Sequence, residues 1–248
     1  MRELEDPQLM RYSRHIMLPK LDIDGQEKIW NARVLIIGVG GLGCAVSQYL
    51  AASGVGHLTL VDDDSVDKTN LQRQVLHTEN NVGQLKVVSA KQALTALNSE
   101  ICINTYAERL NEQALTEQIR QHDIIVDCSD NLTTRNMLNR LCFETKTPLI
   151  SGAAIRMEGQ VSSFTMKDNS PCYACLSRLF GEQALTCSES GILSPVVGII
   201  GTIQATETLK LITGLGEPLS GKLLMLDAMD MSFNTFKINP APDCPVCG

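Results

Sequence analysis

The pattern of apolar and polar positions predicts an α/β fold. Val34-Leu35-Ile36-Ile37 is an unbroken apolar run, as expected of a parallel strand buried on both faces. It runs into Gly38-Val39-Gly40-Gly41-Leu42-Gly43, an alanine-rich helix over about residues 42–53, and a second strand over 57–61 that ends on Asp62. Further strands are predicted at 101–107, 124–127 and 149–154, with helical periodicity at 84–98, 111–121 and 132–145 between them. After these the pattern changes. Residues 160–166 alternate as an antiparallel strand does, a long helix is read at 195–213, and 222–227 with 231–237 read as a closing antiparallel pair. A short helix at 26–31 precedes the first strand, and residues 4–17 read as an amphipathic arm carrying Arg11 and Arg14 on neighbouring helical positions. In the helix at 84–98, Leu85, Val88, Ala90, Ala93, Leu94 and Leu97 are expected to face a core. Gly198, Gly201 and Ala205 suggest a close neighbour for the long helix.

The expected fold is therefore a Rossmann-like, doubly wound, mainly parallel sheet extended by C-terminal antiparallel strands. No repeat or linker divides the 248 residues, so a single domain is expected. Within it, 1–31 form the arm, 32–167 the nucleotide-binding core, and 168–248 the cysteine site, a loop and the last helix and strands.

Strand, glycine turn, helix, second strand and terminal acid together make a nucleotide-binding fingerprint. Gly40 and Gly41 let backbone amides approach a phosphate, and the helix N-terminus offers unpaired N–H groups to an anion. Asp62 is placed to accept from ribose hydroxyls. Lys86, in the first turn of its helix, sits where a cation is disfavoured unless an anion is its partner. Asp130 and Asn131 follow a strand's carboxyl end: either can cap the next helix, and Asp130 can hold Mg²⁺ beside phosphates.

Net charge is −7 with a sequence pI near 5.1, which lacks the basic footprint of a nucleic-acid binder. The N-terminal residues show no apolar signal segment, and the apolar stretch at 195–203 is too short to span a bilayer. A cytoplasmic location, with no membrane or nucleic-acid partner, is expected. Nine cysteines without a secretion signal suggest thiols used for packing, metal or catalysis. Cys172/Cys175 and Cys244/Cys247 supply four thiolates with the spacing of a closed structural zinc site that would staple the tail to the body. Cys187, alone in the polar stretch 181–191, is either a reactive thiol or an ordinary cysteine. Cys44, Cys102, Cys128 and Cys142 read as small core residues.

The fingerprint alone admits NAD(P). None of His15, His57, His77 and His122 is an evident acid or base, however, and there is no Walker A sequence. Arg14, Arg73, Lys86 and Asp130 suit a triphosphate with Mg²⁺ better, since phosphoryl and nucleotidyl transfer chiefly need positioning and charge neutralisation.

RYSRH, GVGGLG, Asp62, the NLQRQ run at 70–74, the Lys86 helix, DCSDN and the two CxxC pairs occur in one order. Together they resemble the MoeB/ThiF branch of the ubiquitin-activating-like superfamily over essentially the whole chain. The segments ISGAAIRMEGQ and CYACLSRLFGEQALTC are more similar to the MoeB side. The resemblance implies adenylation, with ATP and Mg²⁺, of the C-terminal Gly-Gly tail of a small ubiquitin-like, MoaD-like sulfur carrier in molybdenum cofactor biosynthesis. It implies ATP binding by Gly41, Asp62, Asn70, Leu71, Gln72, Arg73, Lys86, Asp130 and Asn131. Catalytic roles fall to Arg14, Arg73, Lys86 and Asp130, with Mg²⁺ on Asp130. It further implies a homodimer whose arms exchange, each Arg14 reaching the partner's triphosphate. Relatives commonly carry Gln where this chain has His15. Cys187 aligns with a cysteine that ThiF-like relatives use covalently and the MoeB side does not need. No rhodanese-like extension follows the last CxxC, so a separate sulfurtransferase is implied. A ThiF-like activator of the thiamine-pathway carrier, or a silent adaptor for a ubiquitin-like protein, are the alternative expectations.

Overall fold

The structure is a computed structural model that describes residues 2–179 and 190–248. Eight strands form one sheet: β1 (Arg33–Ile37), β2 (His57–Val61), β3 (Cys102–Tyr106), β4 (Ile124–Asp127), β5 (Leu149–Ile155), β6 (Glu158–Phe164), β7 (Lys222–Asp227) and β8 (Ser232–Lys237). Their order is β3-β2-β1-β4-β5-β6-β7-β8; the first five are mutually parallel, and β6 to β8 join antiparallel. The expected fold class is borne out.

Successive residues of β1 enter opposite cores. Val34 and Ile36 join one core and Leu35 and Ile37 the other, because strand side chains alternate between faces. The first core takes helices α4 (Gly41–Ala52) and α5 (Lys86–Leu97); the second takes α6 (Glu112–Arg120) and α7 (Leu132–Thr145). Chain order therefore reverses between β1 and β4, which opens a crevice at their carboxyl ends.

The antiparallel extension is tied back by α8 (Tyr173–Ser177) and α9 (Ser194–Thr213). A Cβ on Gly201 of α9 would lie 2.6 Å from Leu42 O and 2.8 Å from Ala45 Cβ, so the predicted close neighbour is α4. Gly198 faces open space instead.

Several expectations are corrected. The arm is two short helices, α1 (Asp6–Arg11) and α2 (Ser13–Ile16), broken at Tyr12, which is buried against Trp30. Arg11 and Arg14 therefore do not share a helix: Arg11 donates to Leu97 O, and Arg14 stays exposed beside Met17. The next helix, α3 (Asp22–Asn31), begins four residues before the predicted start. In α5 the buried face is Lys86, Val87, Ser89, Ala90 and Leu94, while Leu85 and Leu97 are exposed. Ala90 and Leu94 are buried as expected, and Val88 and Ala93 pack partly buried against the same core. Cys102 is exposed on the edge strand β3, whereas Cys44, Cys128 and Cys142 are buried as expected.

Candidate active site and thiol cluster

The crevice begins with the glycine turn. Gly38 has φ +92°, and a Cβ there would meet Cys128 O at 2.8 Å, so β1 and β4 leave the sheet side by side only with glycine at this point. A Cβ on Gly43 would lie 2.0 Å from Gly38 O. The turn thus folds α4 directly back on its own entry. The Cys44 N–H is the first of the helix to find a backbone acceptor there, Gly40 O at 2.9 Å. The amides before it face the crevice end, as an anion requires. The space beside Gly41 is taken by Val197 of α9.

Asp62, at the end of β2, accepts the Val39 N–H at 2.7 Å and the Asp64 N–H at 2.9 Å. Burial pushes its carboxyl up, against the pull of Lys86 and the two amides. Lys86 is only 6 % exposed although it opens a helix; its ammonium meets Asp64 Oδ2 at 2.7 Å. Asp64 is a site residue that the sequence reading missed, since nothing in its spacing marks it as Lys86's partner.

Across the crevice, β4 ends on Asp127, which is buried. Its carboxylate accepts from Ser129 N and Oγ at 3.0 and 2.6 Å and from Ser151 Oγ at 2.9 Å. Arg135, buried in α7, donates to Ser129 O at 2.6 Å and Gly152 O at 3.0 Å, with its Nε 4.0 Å from Asp127. These bonds hold the turn at 128–131. Within it Asn131 caps α7, accepting Thr134 N–H at 2.9 Å, and Asp130 is left exposed on the crevice wall. Of the two candidates for the cap, Asn131 is the one that takes it. Arg135 was also missed; the signal was a charged residue on the same stripe as Leu138, Asn139 and Cys142.

One cavity of about 860 Å³ brings together Gly41, Asp62, Asn70, Arg73, Lys86, Asp130 and Asn131. Leu71, Gln72 and Arg14 do not line it; Gln72 instead accepts the Ser194 hydroxyl on its carbonyl. The cavity continues along the β5–β6 hairpin past Ala153, Arg156 and Gly159 to Val197 and Met225. Cys187 lies outside the described residues.

The ThiF family model matches residues 12–246. The chain belongs to the ThiF family. It is 53% identical over 248 residues to the molybdopterin-synthase adenylyltransferase of Escherichia coli, with all of both chains covered. It is 42% identical over 247 residues to the SAMP-activating enzyme E1 of Haloferax volcanii, covering 99% of this chain and 91% of that protein. Among solved structures it resembles E. coli MccB with ATP, at TM-score 0.81 and 28% identity, covering 96% of this chain and 74% of that one. The resemblance to the MoeB/ThiF branch is borne out.

A second site of this ThiF-family chain is its thiol cluster. Cys172 and Cys244 sulfurs lie 3.6 Å apart and those of Cys175 and Cys247 3.4 Å, and all four fall within 4.8 Å of one another. Thiolates about 2.3 Å from a tetrahedral ion stand about 3.8 Å apart, so the set fits a bound metal. Asn139 Nδ2 and the Ala241 N–H each approach a sulfur at 3.4 Å, the kind of donor that orients a ligand. Arg178 braces the tail with two bonds to Asp243 at 2.8 and 2.7 Å. Asp62, Asp63 and Asp64 also cluster, with Lys86 paired to Asp64 and Arg109 3.7 Å from Asp63. Among the described residues no helix is long and apolar enough to cross a membrane.

Proposed function

We propose that this protein uses ATP to adenylate the C-terminal glycine of a small ubiquitin-like sulfur carrier. Pyrophosphate is released, and the carrier is thereby activated for thiocarboxylate formation in molybdenum cofactor biosynthesis. The observation that carries the reading is the convergence of Asp62, Asn70, Arg73, Lys86 and Asp130 on one crevice at the sheet's switch point. The full-length identity to a molybdopterin-synthase adenylyltransferase supports the same reaction and pathway.

Asp62 accepts from the ribose hydroxyls, and the N-terminus of α4 at Gly41 faces the phosphates. Asn70, Arg73 and Lys86 donate to phosphate oxygens and offset the charge that develops on them. Asp130, a carboxylate exposed on the crevice wall, suits Mg²⁺, which when bound neutralises triphosphate charge. The carrier's terminal carboxylate attacks the α-phosphorus. The bond from that phosphorus to the bridging oxygen breaks, pyrophosphate departs with the oxygen, and an acyl-adenylate remains on the carrier. A C-terminal carboxyl is already ionised at neutral pH, its ordinary pKa being about 3.5. The step therefore needs no general base, and His77 and His122 are packed away in the protein.

The four-cysteine cluster holds structural Zn²⁺ in this reading. Arg14, exposed and outside its own chain's crevice, acts on the partner's triphosphate in an arm-exchanged homodimer. A separate sulfurtransferase supplies sulfur. The chain works as one adenylation domain in the cytoplasm: arm 1–31, nucleotide core 32–167, and cysteine site with C-terminal elements 168–248.

The test is carrier-dependent ATP–pyrophosphate exchange. Asp130→Ala is expected to lower exchange about 100-fold or more with stability changed by less than about 0.5 kcal/mol. Asn131→Ala removes an N-cap and costs about 1 kcal/mol of stability. Exchange with only the thiamine-pathway carrier would reassign the substrate, and no exchange with either carrier while ATP binds would overturn the reaction.

A further inference from the structure

His77 is a buried imidazole, 5% exposed, that does not line the crevice and has no part in the reaction derived above. Its ring reaches two elements. Nδ1 stands 2.8 Å from Ser89 Oγ on α5, and Nε2 stands 3.4 Å from Val39 O in the glycine turn. A carbonyl can only accept, so Nε2 carries the N–H and Nδ1 accepts the Ser89 hydroxyl. Burial holds the ring below its ordinary 6.5, against the pull of that carbonyl. The neutral ring has one N–H, and Val39 takes it.

Val39 is itself fully buried and is held at both ends. Its N–H donates to Asp62 Oδ2 at 2.7 Å, and its carbonyl also receives the Cys44 thiol at 3.6 Å. Two successive peptides of the turn, 38–39 and 39–40, are therefore fixed by side chains rather than by sheet or helix bonds. Holding the second one fixes more than a carbonyl. A trans peptide is planar, with C=O and N–H pointing opposite ways, and no described peptide bond is cis. With Val39 O turned inward to His77, the Gly40 N–H turns outward. Gly40 lines the crevice, and its N–H has no acceptor among the described residues.

The other end of the ring matters for the same reason. Ser89 stands one turn after Lys86 in α5, so His77 ties the helix that carries Lys86 to the turn that presents Gly40. The other buried histidine does nothing comparable: His122 bonds Gln118 O and Thr59 Oγ1, away from the glycine turn.

We infer that His77 is a positioning residue for adenylation: its Nε2–H holds Val39 O inward and so aims the Gly40 N–H at a phosphate oxygen of ATP. The inference rests on the ATP reading above, and His77 itself touches no part of the nucleotide.

Calorimetric titration with ATP and, separately, with adenosine tests this without the carrier. His77→Leu keeps buried apolar volume and removes the N–H. It is expected to weaken ATP about 10-fold and leave adenosine unchanged; the loss is partial because the Cys44 thiol still reaches Val39 O. His77→Gln can place an amide N–H where Nε2–H stands, and is expected to stay within about 3-fold of wild type. His77→Asn, whose shorter amide reaches Ser89 but not Val39, is expected to match His77→Leu and replaces it in the test should that variant not fold. ATP affinity unchanged in the folded variant that lacks the N–H would overturn the inference. Equal weakening of ATP and adenosine would show a general loosening of the fold and overturn it too, as would a loss in His77→Gln as large as in His77→Leu. Wild-type binding of ATP is the control: its absence would defeat the ATP reading itself, whereas wild-type binding matched by His77→Leu defeats only the role of His77.

Discussion

Lys86 and Asp64 are joined twice, through the Lys86 N–H to Asp64 O at 2.9 Å and through Nζ to Oδ2 at 2.7 Å. The pairing is unequal, since the lysine side chain is 8% exposed and the aspartate side chain 67%. The lysine needs the aspartate more than the reverse. Asp64→Ala, which strands a buried ammonium, is expected to cost about 1–3 kcal/mol of stability. Lys86→Met, which leaves a solvated carboxylate and keeps the stem, is expected to cost less than about 1 kcal/mol while lowering pyrophosphate exchange about 100-fold. Urea unfolding and exchange assays on both variants check this; equal stability losses would show that the pair is energetically symmetric.

The thiol cluster links residues 172–175 to 244–247 across the whole C-terminal extension, so a metal held there closes a long loop. Elemental analysis is expected to give one zinc per chain. Cys244→Ser should lower zinc content and Tm together, while pyrophosphate exchange by the still-folded fraction at low temperature is retained. Full zinc occupancy in that variant would remove Cys244 from the ligand set.

Arg14 can serve only a neighbouring chain's phosphates if the arm is exchanged. Arg14→Ala and Asp130→Ala homodimers should each be inactive in exchange. Mixed at equal amounts and allowed to re-associate, half the dimers are heterodimers with one intact site, and about a quarter of wild-type activity should return. Recovery of none from two inactive homodimers would mean that Arg14 acts within its own chain, and an active Arg14→Ala homodimer would mean that it does not act in the reaction.

Stability should fall on mild acidification. Burial lowers His77 and His122 from the ordinary 6.5, and the partly buried His57 likewise. Below about pH 6.5 the unfolded chain takes up protons that the folded histidines refuse, so each contributes a loss of up to about 1.4 kcal/mol per pH unit until its own folded value is reached. Asp62 has the opposite sign: its raised value lets the folded state bind a proton more tightly, which opposes the loss only as pH falls further toward 3.8. Urea midpoints should hold from about pH 8 to about pH 7 and fall by about pH 5.5, with a shallower fall in His77→Gln/His122→Gln. A flat profile in the wild type would show that these rings protonate without penalty in the fold.

The sequence by itself determined the strand–turn–helix frame, the family and the four cysteines, because each is written in local chemistry. Val34–Ile37 can only be buried, Gly38 and Gly43 tolerate contacts that no side chain allows, and two CxxC pairs announce a thiolate cluster wherever the tail goes. Tertiary structure alone decided which neighbours share the work. Asp64 becomes Lys86's partner because β2 and α5 converge, not because 22 residues separate them. Arg135 reaches Ser129 and Gly152 only once β4 and β5 lie side by side. Asn131 takes the cap and leaves Asp130 to the crevice through the dihedrals of one turn. The stripe of α5 was legible in part: Ala90 and Leu94 are buried and Val88 and Ala93 pack against the core as their spacing indicates, but only what the helix meets decides that Lys86, Val87 and Ser89 are buried and Leu85 and Leu97 exposed.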